Sequence, residues 1–431
     1  MNNYEYCIIF EAATQKDIRV LRIIPYMKNV YRLLLIVLFL GILGLVIAYA
    51  RGYRIDLEKR SLSSTGILAV SSNPKAAKIY INGKLEGVTD NQLMLPPGKY
   101  KVEIKMDGYM PWSKQYTLKG ELVLTADATL FPQNASLAPL TNLGISKLMP
   151  IDRTDRLLLF SQTGSGEKDG IYLFDQNKKP FSLFPPLKVV LLKSMLPKDV
   201  DFTKSNVVFS PDFKEAIFEF DLPAGPVSYL LSLEEDNKQL FDITTSRASL
   251  MSAWDEERKL EAAKILEIFP VKLQKAASES ARVIAVSPDK TKVLYEGVAA
   301  GEFDPVIVPS LISANQEPET RIIQEKGIYI YDKKEDRNYR VAFEIPKTAS
   351  DEVLPDVARY VMWYPDSRHV VLNEEKQVSV MEYDNTNKQV VYSGPHEEEF
   401  VDVSSDGKLL ILANFNPQTN KHPDVYAVGI R

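Results

Sequence analysis

The feature that most constrains this chain is Leu33–Ala50, LLLIVLFLGILGLVIAYA, eighteen positions without a charge. About twenty apolar residues in a helix cross the roughly 30 Å hydrocarbon core of a bilayer. With Tyr31 the run reaches that length, which predicts one transmembrane helix over residues 31–50 in contact with lipid. Tyr31, Tyr49 and Tyr53 stand where interfacial rings belong, and Lys28, Arg32, Arg51 and Arg54 can extend from the ends to the headgroups. Gly41 and Gly44 are too close together for a GxxxG pairing motif. The competing reading is a cleaved leader, because Ala48-Tyr49-Ala50 is an A-x-A sequence followed by Arg51. The run is longer than the 7–15 residues usual for a leader core, so anchoring is expected, with secretion after cleavage near Ala50 as the alternative. Residues 1–30 read as a cytoplasmic tail or a misassigned start, Met1 and Met27 both being possible first residues.

Nine Lys and Arg lie in residues 1–60 beside five acids, and the remaining 371 residues carry 43 basic and 52 acidic side chains. Positive charge therefore gathers around the apolar run, and the rest is mildly acidic. A nucleic-acid partner is not expected, since it would call for basic charge on the body. The single cysteine, Cys7, rules out an internal disulfide. At 431 residues the chain is long enough for more than one folding unit. Charges flank the apolar run almost evenly and leave its orientation open.

After a juxtamembrane linker over 51–65, the pattern changes to period two. Lys78-Ile79-Tyr80-Ile81 reads as a strand ending at Asn82-Gly83, a pair suited to a tight hairpin turn. Tyr100, Val102, Ile104 and Met106 alternate with charged residues and stop at Asp107-Gly108; Leu122–Phe131 supplies a further strand. Residues 66–132 thus form a small β-sandwich-like unit, with Tyr109 and Trp112 expected as core or edge aromatics. Ser72-Asn73-Pro74-Lys75-Ala76-Ala77, Ile79–Lys84, Pro97-Gly98-Lys99-Tyr100 and Gly108-Tyr109 resemble the PEGA domain family. The four eponymous positions read Pro74-Lys75-Ala76-Ala77, so the acid and the glycine are both replaced. The resemblance implies an extracytoplasmic setting in the cell envelope, and hence tail inside and body outside; it implies no chemistry.

Residues 133–431 repeat. Val208-Phe209-Ser210-Pro211-Asp212, Val286-Ser287-Pro288-Asp289, Trp363-Tyr364-Pro365-Asp366 and Val403-Ser404-Ser405-Asp406-Gly407 each precede an apolar strand, and Met149-Pro150-Ile151-Asp152 is a weaker member. A proline fixes φ and an aspartate accepts backbone bonds from a tight turn, so these aspartates are structural. All-strand repeats near forty residues indicate radially stacked blades. The units resemble the β-propellers of TolB-like and WD40-like proteins, and five to seven blades fit, six being preferred. Two insertions interrupt them. Residues 250–281 carry a helical period over Leu250–Phe269, then Pro270 and a second helix over Val271–Ser280, read as a hairpin projecting from the ring, either a lid or a partner-docking element. Residues 305–326 read as an exposed loop. The expected fold is therefore all-β behind one N-terminal helix. Residues 27–431 as a whole resemble membrane-anchored PEGA-plus-propeller proteins of candidate-phylum bacteria.

No G-x-S-x-G, HExxH, P-loop or Rossmann fingerprint occurs in its required context. Gly164, Gly166 and Gly170 are not followed by a helical pattern. His369, His396 and His422 are the only histidines; His369 reads as structural and the other two as a poor metal pair. No catalytic, cofactor or metal residue is expected. The reading is a non-catalytic, membrane-anchored binding or scaffold protein of the cell envelope, its partner an envelope protein or a cell-wall glycan. The alternatives are a propeller enzyme, hydrolase- or lyase-like, with a site assembled from several blades, and a purely structural envelope protein.

Overall fold

The computed structural model describes residues 30–47, 53–56, 61–151, 154–164, 168–176, 187–197, 200–223, 225–345, 357–397, 400–418 and 421–431. The expected tail, the choice between Met1 and Met27 and the Ala48–Ala50 cleavage sequence lie outside these, Val30 excepted. Helix α1, Val30–Ile47, has a mean hydropathy of 2.7 and no buried residue. By length and composition it can cross a membrane.

Contacts divide the chain into two compact units. One holds the chain up to Ser71 with Thr89–Tyr100 and Gln115–Asp127; the other holds Ser72–Val88, Lys101–Lys114 and Ala128–Arg431. In the first, a hairpin Tyr53–Asp56/Ser61–Ser64 leads into Gly66–Asn73, the central strand of a three-stranded sheet flanked by Asn91–Leu95 and Val123–Thr129. Leu68 and Val70 point one way and are buried; Ile67 and Ala69 alternate to the other face. A four-stranded sheet follows the order Lys84–Val88, Lys78–Ile81, Gly98–Lys105, Trp112–Leu118. Asn82 and Gly83 take φ of 51° and 84°, both in the left-handed region, as the hairpin turn requires.

Beyond residue 135 come five four-stranded antiparallel sheets. The first comprises Ile145–Ile151, Arg156–Ser161, Gly170–Asp175 and Leu187–Leu192. The second comprises Asn206–Phe209, Glu215–Leu222, Gly225–Ser232 and Phe241–Asp242. The third is Ala281–Val286, Lys292–Gly297, Ile328–Asp332 and Arg337–Arg340; the fourth is Val361–Trp363, His369–Glu374, Gln377–Glu382 and Gln389–Tyr392. The fifth joins Val401–Val403, Leu409–Ala413 and Asp424–Gly429 to Ser136–Pro139 from the start of the region, with Ser136 opposite Gly429. The count among the described residues is five and not the preferred six. The 77-residue intervals from Asp212 to Asp289 to Asp366 each hold one sheet and one insertion.

Buried apolar side chains knit successive sheets. One cluster joins the first and second sheets, with Phe160, Leu173, Phe218 and Leu231. Others join third to fourth (Ile330, Val370), fourth to fifth (Val380, Ile411) and fifth back to first (Leu410, Leu159). Helices α2 (Arg247–Ile265) and α3 (Val271–Ser280) lie between the second and third sheets in sequence and contact both. From α2, Arg247 pairs with Glu219 at 2.7 Å and Arg258 donates to the Phe209 carbonyl at 2.5 Å. Phe269, with Leu273 and Ala277 of α3, packs among Val293, Tyr295, Phe303, Tyr329 and Tyr331. The helical pair does not project freely, as the sequence suggested. Its second helix is core, because its apolar face covers what would otherwise be an open sheet face.

The 305–326 segment is also more fixed than an exposed loop. Ile322–Ile323 pairs with Gly301–Glu302, Arg321 bonds Asp336, and Asn315 donates to the Asp384 carboxylate at 2.5 Å.

The repeated turns share one geometry. The residue after each aspartate is left-handed: Phe213, Lys290, Ser367 and Gly407, with φ from 57° to 82°. Its N–H returns to the residue three back, as from Lys290 to the Ser287 carbonyl at 2.8 Å. In three turns the Ser210, Ser287 and Ser404 hydroxyls donate to the aspartates two residues on, at 2.7, 2.7 and 2.5 Å. In the fourth turn Tyr364 replaces serine, and its hydroxyl donates to the Gly407 carbonyl of the next.

Candidate functional site

Period two sends alternate side chains of a first strand to opposite faces. Where the first strands of several sheets converge, one set of those side chains borders a common space. Here that space is a cavity of about 770 Å³ lined from Ile145–Ile151 and the first strands of the second, fourth and fifth sheets. Met149, Phe209, Met362 and Phe400 make much of its wall apolar. Five ionisable residues also border it: Lys147, Arg359, Glu397, Asp402 and His422.

Lys147 is half-buried. Its ammonium donates to the Ser205 carbonyl at 2.8 Å and stands 5.2 Å from the centre of the Phe160 ring. Removal from water pulls its pKa below the usual lysine range. Burial pushes Asp402 up to about 6, and the charge of Asp155 adds to the rise. Two donors oppose it, the Val403 amide at 2.8 Å and the Gln176 side-chain amide at 3.1 Å. The Gln176 carbonyl oxygen is buried and accepts no hydrogen bond within the described residues. The cavity therefore offers apolar contact area with a few directed polar groups, the usual composition of a small-molecule site. Asp402 can give or take a proton near neutral pH.

Sequence reasoning singled out none of the five except His422, read with His396 as a poor metal pair. Lys147 and Asp402 come from strands far apart in the chain, Arg359, Glu397 and His422 from turns and loops, and only pairing and stacking of the sheets bring them together. His369 is buried, with Nδ1 2.7 Å from Asp366 Oδ2 and its ring 5.3 Å from that of Phe131. Opposing burial, His369 and Arg368 hold the Asp366 carboxyl well below the usual range. His396 Nδ1 lies 3.0 Å from the Gly394 carbonyl oxygen. Among the described residues no group of three or more His, Cys, Asp or Glu is placed to hold a metal. Gly164 has φ of 80° and its amide donates to Asp169 at 3.0 Å, and Gly166 lies outside the described residues. Trp112 is buried and its indole donates to Glu382; Lys114 pairs with Glu382 and Asp384, and the Ser113 amide donates to Asn387 at 2.9 Å. The segment around Trp112 is thus bonded to the hairpin end of the fourth sheet, a structural role.

Residues 65–134 match the PEGA domain. No curated protein matches the chain. Among solved structures, a TolB protein from Agrobacterium tumefaciens is 15% identical, with a TM-score of 0.18. The match covers 60% of this chain and spans 66% of that protein's length. An auxiliary nutrient binding protein from Bacteroides ovatus is 11% identical over 85% of this chain and 98% of its own, with a TM-score of 0.25. Oligogalacturonate lyase from Vibrio parahaemolyticus is 8% identical over 86% and 99%, also at 0.25. At such scores these likenesses say nothing about what this chain binds.

Proposed function

We propose that this protein is a membrane-anchored, extracytoplasmic binding protein of the cell envelope, whose five sheets close into a propeller around a ligand cavity. The single observation that carries the reading is the cavity itself, of about 770 Å³, bordered by Lys147 and Asp402 from the first strands of two sheets and by Arg359, Glu397 and His422 from the turns and loops beside them. The clusters running first to second, third to fourth, fourth to fifth and fifth to first support closure, with α2 and α3 bridging second to third. The exposed apolar helix α1 supports anchoring, and the PEGA match supports the extracytoplasmic side. The ligand is a cell-wall glycan fragment or a projecting part of an envelope protein.

The test is calorimetric titration of the detergent-solubilised full chain with soluble cell-wall glycan fragments and with isolated envelope proteins. Ser146 is an exposed residue of the cavity lining, and Ser146→Trp should weaken binding at least tenfold. Equal affinity for both forms would remove the cavity from the reading. Conversion of the bound molecule, seen by mass spectrometry, would replace binding by catalysis. Protease protection in intact cells tests the orientation, a shielded body refuting it.

A further inference from the structure

The outward face of the three-stranded sheet changes character along its strands. Ile67 stands opposite Met94 and Ala69 opposite Gln92. On the other side, Ile67 donates to the Leu122 carbonyl and Glu121 to the Thr65 carbonyl, a pattern that steps forward in both strands and sets Ile67 beside Val123. The same offset sets Ser71 beside Asp127, whose side chains bond at 2.8 Å. At the Gly66 end the face therefore presents Met94, Ile67 and Val123, with Met94 57% and Val123 55% exposed. At the Ser71 end it is polar.

The apolar end is also where the chain arrives from α1. A direct extended path from Ile47 to Gly66 would reach about 60 Å. The hairpin shortens it, because Tyr53 is bonded opposite Ser64. Only residues 48–52 then separate the helix end from that pair, about 20 Å at full extension, and Gly66 lies within about 30 Å of Ile47. Lys99, at the start of Gly98–Lys105, and Lys119, just past the end of Trp112–Leu118, are exposed at the same end and suited to anionic headgroups, with Glu121 exposed beside them.

We propose that the Met94–Ile67–Val123 row rests on the lipid surface into which α1 inserts, so that the sheet stands on the bilayer by its apolar end. This deepens the proposed function and rests on its membrane anchoring. The tether keeps the row close to the interface at a high effective concentration, so a small apolar patch suffices.

Spin labels measure this directly. Cys7 is the only cysteine, so the full chain carrying Cys7→Ser accepts single labels at Leu38→Cys, Met94→Cys, Val123→Cys or Asp127→Cys. The protein is reconstituted in phosphatidylethanolamine–phosphatidylglycerol vesicles, and collision with oxygen is compared with collision with an aqueous nickel chelate. The oxygen-to-nickel ratio at positions 94 and 123 should exceed that at 127 at least threefold, and Met94→Asp should lower the ratio at 123 toward that of 127. Equal aqueous access at 94, 123 and 127, with a lipid-exposed label at 38, overturns the resting surface and leaves the anchor. A water-exposed label at 38 overturns both. Labels at 94 and 123 shielded from both reagents mean that protein, either a second copy or another part of this chain, covers the row, and this too overturns the proposal.

Discussion

Asp336 in the third sheet and Asp402 in the fifth are both withdrawn from water, and their carboxyl groups end in opposite states. Burial alone would raise both. Asp336, 3% exposed, accepts from the Ile307 amide at 2.9 Å, the Val306 amide at 2.7 Å, the Tyr331 hydroxyl at 2.9 Å and the Arg321 guanidinium at 3.1 Å. These outweigh burial and hold it below the usual carboxylate range. Asp402 has two neutral donors, and its titration is raised by burial with Asp155 adding to the rise. In the third sheet a buried charge is fully answered and fixes an insertion. At the cavity it is answered by two neutral donors alone, and burial wins.

The comparison breaks first at Asp336. Asp336→Ala leaves the Val306 and Ile307 amides without their acceptor and Arg321 with Glu319 as its remaining carboxylate, and each buried group left unsatisfied costs about 1–3 kcal/mol. A large drop in the urea midpoint of the full chain is expected; a change within error would mean that the 305–326 segment does not depend on it.

Asp402→Asn should act in the other direction. Its folded pKa of about 6 lies above the unfolded value near 3.9. The native state therefore binds the proton more tightly, and stability falls as pH rises from about 4 through about 6. The asparagine variant should be more stable than the parent at pH 7, by at most about 2–3 kcal/mol, and should lose that pH slope. Thermal midpoints from pH 4 to 8 check this, and parallel curves for the two proteins would place Asp402 in water.

Smaller effects test the turn that both regions share. Gly407 has φ of 82°, and an added Cβ would stand 2.5 Å from the Tyr364 hydroxyl. Gly407→Ala should cost about 1–2 kcal/mol in denaturant titration. Lys290 holds the same left-handed place in the third sheet at φ 59°. Lys290→Gly relieves that conformation and should stabilise by up to about 1 kcal/mol, whereas Phe213→Gly, at the same place in the second sheet, loses packing and should destabilise. A destabilised Lys290→Gly would contradict the left-handed place of that residue in the shared turn.

Local signals made much of this legible in the sequence. The apolar helix, the Asn82-Gly83 turn, the aspartate turns and both inserted helices each depend on residues a few positions apart. Ser136–Pro139 was missed because its four residues have no pattern of their own and become a strand only against Asp424–Gly429. The helical pair reads as projecting because Phe269, Leu273 and Ala277 look like an exposed amphipathic face until Tyr295 and Tyr329 are seen to need covering. Lys147 and Asp402 were invisible for a related reason. A lone lysine or aspartate in a strand reads as solvent-facing, and only convergence of several sheets encloses it.

The pairing of Ser136 with Gly429 also has a consequence in time. The two strands are about 290 positions apart, so the fifth sheet carries the longest-range contacts and is expected to form late. Until Asp424–Gly429 arrives, Ser136–Pro139 has no partner and Leu409–Ala413 presents an unpaired edge to any neighbouring chain. During synthesis, then, this seam stays open until Asp424–Gly429 has been made.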